Sequence, residues 1–139
     1  MKKKTCLVLL TVAIALACLG MGGMGGGIEV PKTAKNYSVA LVDRSGLSIS
    51  LSRFSCDGNT LFAGKLGMAE ASVDFSRIRS VAFEKAENKM VTAAISLKDG
   101  DTVRLMMEDD IACYGAASVA DVRIVLADIR SIEFKGTAQ

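Results

Sequence analysis

From Tyr37 onward, apolar and polar residues alternate along the chain. Tyr37, Val39 and Leu41 fall on one side of an extended backbone; Leu47, Ile49 and Leu51 do the same, with Ser48, Ser50 and Ser52 between them. A period of two marks a strand with one buried face. "DRSG" (Asp43–Gly46) separates these two runs and "KDG" (Lys98–Gly100) separates a second such pair. Each pair predicts a hairpin, with glycine supplying the positive φ of its turn. A mixed series comes next. Ala71, Val73 and Phe75 are spaced by two, Ile78 and Val81 follow at intervals of three, and Phe83 returns to two; Val122, Ile124, Leu126, Ile129, Ile132 and Phe134 repeat it. Its ends fit a strand and its middle fits a helical turn. A strand, one turn of 3-10 type and a second strand satisfy both, with one Ile filling the core at the corner. The competing reading is a helix, with Val122, Val125, Ile129 and Ile132 as its apolar stripe and Ser118 as its cap. The period-two flanks and the abundance of Val and Ile favour strands.

The recurrence extends beyond one motif. "RIRSVAF" (Arg77–Phe83) and "DIRSIEF" (Asp128–Phe134) are 51 residues apart, and that offset also places Gly64 on Gly115, Glu70 on Asp121 and Phe75 on Leu126. Upstream the offset becomes 54, placing Gly46 on Gly100 and Leu51 on Leu105, so the first segment carries three extra residues around "SCDGN". The pattern predicts an all-β, internally duplicated unit, with repeats at about 37–84 and 91–135. Two arrangements satisfy it: two small barrel-like or meander modules, or one shared β sandwich. The order of hairpin, glycine-containing strand and "I–corner–I-x-F" strand resembles small SH3-like barrels and uncharacterised exported bacterial β-repeat proteins. That resemblance implies an all-β architecture and no particular activity.

The N-terminal segment follows other rules. Lys2, Lys3 and Lys4 precede an uncharged apolar run from Leu7 to Leu19, which is the layout of a secretory signal peptide over residues 1–17. "IALAC" (Ile14–Cys18) resembles the lipobox of bacterial lipoproteins, although Ala15 stands where that family prefers Leu. The resemblance implies cleavage after Ala17 and acylation of Cys18. Ordinary secretion is the alternative, since Ala15-Leu16-Ala17 is also an A-x-A cleavage site. Residues 18–36 are then a tether, and six of the chain's thirteen glycines lie in Leu19–Gly27. An acyl anchor would hold this tether to a membrane. Leu19 after the Cys points to the outer membrane under the better-known sorting rule for lipoproteins.

Removing residues 1–17 changes the charge. The chain has 17 basic and 15 acidic residues, and the leader takes three Lys, leaving 14 against 15. A near-neutral domain with no basic run does not track nucleic acid. Cys56 and Cys113 remain as an even pair, and in an oxidising envelope an even pair predicts a disulfide.

Candidate chemistry is sparse. The chain contains no His, so the commonest general base and most transition-metal ligands are missing. "GMGGMGGG" lacks the Lys-Ser/Thr of a phosphate loop. Glu108–Asp110 and Lys98–Asp101 are acidic loop segments without EF-hand spacing, and they are expected at opposite ends of one strand. Arg79 and Arg130 occupy equivalent positions, as flanks of a core strand beside Asp128 or Glu133 or as an anion site. Of Met106 and Met107, alternation places one in the core. No catalytic residue, metal ligand or cofactor is expected. The expected function is a non-enzymatic, lipid-anchored cell-envelope protein facing the periplasm. Its β domain would bind or assemble with an envelope partner through exposed strand edges. The alternative is a soluble periplasmic or secreted protein that binds a small ligand or ion.

Overall fold

The computed structural model describes residues 27–138. The signal segment 1–17, Cys18 and the first part of the tether lie outside them. Ten strands follow in order: β1 (Asn36–Asp43), β2 (Ser48–Cys56), β3 (Leu61–Leu66), β4 (Ala69–Asp74), β5 (Ile78–Phe83), β6 (Met90–Leu97), β7 (Thr102–Glu108), β8 (Ala112–Ala116), β9 (Asp121–Val125) and β10 (Ile129–Ala138). All pair antiparallel in one sheet of order β4-β3-β7-β6-β5-β10-β1-β2-β8-β9. A single continuous sheet therefore takes the place of both expected arrangements. Separate modules would pair β2 with β3, whereas β2 pairs with β8 and β3 with β7.

Both predicted hairpins form. In each turn the residue before the loop makes the same two backbone bonds, Asp43 with Leu47 and Gly46, and Leu97 with Asp101 and Gly100. Gly46 (φ 93°) and Gly100 (φ 101°) take the left-handed conformation that the turn requires. The Asp43 carboxylate accepts from the Ser45 hydroxyl and from the Ser45 and Leu47 N–H groups. Those bonds, the Ser45 hydroxyl first, hold its carboxyl below the usual aspartate range. Leu47 departs from the expected pattern. It lies in the turn before β2 and is 59% exposed, while Leu51 of the same run is buried. Turn geometry, not strand alternation, sets its direction.

Both corners are single 3-10 turns, Phe75–Arg77 and Leu126–Asp128, followed by the fully buried Ile78 and Ile129. The helical alternative fails because Asp121–Val125 is strand β9. The first corner is capped by Asp74, whose carboxylate accepts from Ser76 N–H at 2.9 Å; Val125 takes the matching place at the second and offers no side-chain cap.

One core serves the whole sheet. All five Phe residues join Tyr37 in a contiguous aromatic network. Phe75 stacks with Phe54 of β2 at 5.6 Å and contacts Phe62 of β3 at 4.8 Å. Strands β2 and β3 lie far apart in the strand order, so the sheet must curl to bring both onto the same ring. A bulge in β2 assists. Arg53 takes φ 50°, the register breaks between Ser52 and Ser55, and Phe54, Ser55 and Cys56 are all buried in succession. The Arg53 N–H is satisfied by Asn36 Oδ1 at 2.7 Å. Val30 is already buried, so the packed domain begins inside the segment expected to be tether.

Candidate binding surface

The bulge delivers Cys56 to a position directly opposite Cys113 of β8, and the two form the predicted disulfide. Both cysteines are buried in the core cluster. The bridge is thus a structural staple between β2 and β8, joining cysteines 57 positions apart in sequence.

Among the described residues the sheet has two free edges, β4 and β9, each paired on one side only. Each edge strand belongs to a hairpin with an apolar tip. Met68, between β3 and β4, is 99% exposed, and Val119, between β8 and β9, is 93% exposed. Scattered surface hydrophobics need no explanation. The two lie 51 positions apart, the spacing at which the sequence motif recurs, and each sits in the turn of its hairpin. Sequence reasoning missed them. The available signal was an apolar residue in a turn where polar residues are the norm.

Beside the β4 edge lies an open groove of about 570 Å³. Ala63, Gly64, Ala71 and Ser72 give it small side chains, Met90, Met106 and Ile111 give it apolar bulk, and Glu108 adds a carboxylate. Lys65 and Glu70 face each other there at 3.6 Å, both well exposed. Met106 is half exposed in this groove while Met107 is buried, the division that alternation predicted. A second depression, of about 400 Å³, contains Asp43, Arg44, Arg123 and Asp128. Its charges are mixed, and Arg44 is already engaged, donating through Nη2 to the Phe83 carbonyl at 2.8 Å.

Arg79 and Arg130 are exposed flanks of the core strands β5 and β10, as expected, but neither forms an ion pair with Asp128 or Glu133. Arg130 donates to the Arg44 carbonyl at 3.3 Å, not to Asp128 or Glu133, whose own partner is Lys135 at 3.0 Å. Neither arginine lines either depression. The acidic segments lie at opposite ends of β7, with Asp99 and Asp101 at its start and Glu108 to Asp110 at its end. Among the described residues no group of three or more His, Cys, Asp or Glu converges as a metal site.

Comparison with known proteins bears on this surface only at family level. A family model whose description reads "uncharacterised protein" matches residues 33–137. The chain belongs to that family. The match runs from before β1 into β10, so the family unit includes both edges and the bridge. No curated protein and no solved structure matches the chain.

Proposed function

We propose that this protein is a non-enzymatic, lipid-anchored component of the cell envelope, whose internally duplicated β domain binds an extended segment of another envelope protein. The observation that carries this reading is the pair of free edges, β4 and β9, each ending in an exposed apolar tip. A free edge presents unpaired N–H and C=O groups that an incoming strand can satisfy, with side chains lending specificity. The buried disulfide suits an oxidising compartment. Anchoring rests on the "IALAC" segment and Cys18. The duplication is supported by register. Under the offsets of 54 and 51, the β1–β10 pairs Val39–Phe134, Leu41–Ile132 and Asp43–Ile129 become the β6–β5 pairs Ala93–Phe83, Ile95–Val81 and Leu97–Ile78.

Affinity purification of the full chain from detergent-solubilised membranes tests the binding role. Wild type should recover a stoichiometric partner and Met68→Ser/Val119→Ser should lose it; a clean monomer from wild type counts against the proposal. Cys18→Ala should move the protein out of the membrane fraction. The second reading, small-ligand or ion binding, draws on the groove beside β4. A thermal-shift screen with calcium and anionic compounds separates it from strand binding.

A further inference from the structure

The strand order reads β4-β3-β7-β6-β5 from one edge to the centre and β9-β8-β2-β1-β10 from the other. The first run takes three strands from segment 37–84 and the hairpin β6–β7 from segment 91–135. The second run does the reverse. Between them, β5 meets β10 with Val81 opposite Ile132, and these two residues are equivalent under the offset of 51.

The geometry points to two five-stranded units, fused in one chain, that have exchanged their N-terminal hairpins, with Cys56–Cys113 as a latch on one of the two seams. This inference rests on the duplication read above. The two seams use the same pair. Ser52 faces Ala116 across β2–β8, and Met106 faces Lys65 across β7–β3; the offsets of 54 and 51 convert one into the other. Glycine stands next to each pair for the same steric reason. A Cβ at Gly115 would lie 2.8 Å from Leu51 Cβ, and one at Gly64 would lie 2.9 Å from Met107 Cγ and against the Met106 carbonyl. In both cases the crowding atoms belong to the other segment's hairpin. Glycine within a strand is expected where a second backbone approaches this closely. The short links that follow each hairpin also agree. The N–H of Phe75 bonds the Thr60 carbonyl and that of Leu126 bonds the Ile111 carbonyl, again equivalent positions.

The seams differ in one respect. The β2–β8 seam holds Cys56 and Cys113, whereas Phe62 occupies the place of Cys113 in the first segment. Only one seam is therefore covalently closed. The other, β3–β7, has a single ladder pair, and the groove opens beside it.

The test uses the full chain with paired cysteines. Lys65→Cys/Met106→Cys places thiols across the exchanged seam; Lys65→Cys/Ser52→Cys places them where a unit closed on its own hairpin would bring them together. Short bis-maleimide cross-linking of folded protein, read by peptide mass spectrometry, should join Cys at 65 to Cys at 106 and leave the 65/52 pair unjoined. The reverse result overturns the exchange while leaving the duplication standing, because both pairings follow from the same two-segment alignment. Joining of neither pair in protein of native circular dichroism overturns it as well. A protease site inserted between Ala86 and Glu87 gives a second measurement. After cleavage and reduction with dithiothreitol the two fragments should stay together in gel filtration until denatured; separation under native conditions overturns the exchange.

Discussion

At the scale of single residues, two polar side chains stand out. Ser55 is fully buried and its hydroxyl has no hydrogen-bond partner among the described residues. An unsatisfied buried hydroxyl carries a desolvation cost of about 1–3 kcal/mol. Ser55→Ala should therefore leave stability unchanged or raise it, as read by the urea midpoint; a fall of more than about 1 kcal/mol would show that the hydroxyl is satisfied after all. Asp74 is the opposite case. The Ser76 N–H, then the Ser76 hydroxyl, and more weakly Lys35 and Tyr37 favour its charged form and hold its pKa below the ordinary 3.8. A depressed carboxyl pKa contributes stability that is complete above 3.8 and is lost as pH falls through the folded value. Asp74→Asn should therefore flatten the acid limb of the stability curve below about pH 4. Asp74→Ala should cost about 1 kcal/mol at neutral pH, the scale of a lost N-cap. Equal acid limbs for wild type and Asp74→Asn would remove Asp74 from the account. Neither residue's role was legible in the sequence. Ser55 has the parity of Leu51 in the alternating run, but the bulge at Arg53 breaks that phase, so Phe54, Ser55 and Cys56 are buried in succession.

Among the elements, the seams carry the consequences. Gly64→Ala and Gly115→Ala each push a methyl into the neighbouring strand, and overpacking of this kind costs about 1–3 kcal/mol. Gly64 should be the less tolerant, since its added carbon meets a backbone carbonyl while that of Gly115 meets the Leu51 side chain. Thermal melts of the two variants decide the order. The bridge closes a separation of 57 residues, and on the chain-entropy estimate its loss in Cys56→Ser/Cys113→Ser costs about 4 kcal/mol. A midpoint close to wild type in non-reducing urea titration would show the staple to be idle. Strands, hairpins and corners were legible because period two, the turn glycines and the spacing of Phe75, Ile78 and Val81 all act within a few residues. Strand partners were not. β2 and β7 present similar alternating faces, so the pattern does not say whether β2 lies beside β3 or β8. The extra residues around Cys56 lie where β2 bulges against β8, and they read in the sequence only as an insertion.

For the whole molecule, ten antiparallel strands form one sheet around one core, and among the described residues no group of three or more His, Cys, Asp or Glu converges as a metal site. The expectation of a bridge between Cys56 and Cys113 came from counting cysteines, and packing supplies its reason. The repeated motif that reads as core in sequence is core in fact, with Ile78, Val81, Ile129 and Ile132 all essentially inaccessible. Its placement at the sheet centre has one more consequence. Because Val81 lies opposite Ile132, the two share one fixed volume, and a methylene may move from one to the other without changing the sum. Ile132→Val alone should cost about 1 kcal/mol, and Val81→Ile alone about 1–3 kcal/mol. The double variant Val81→Ile/Ile132→Val should recover most of both, a non-additivity that a double-mutant cycle measures directly. Drift at this pair is then compensatory: either side can change, provided the other answers.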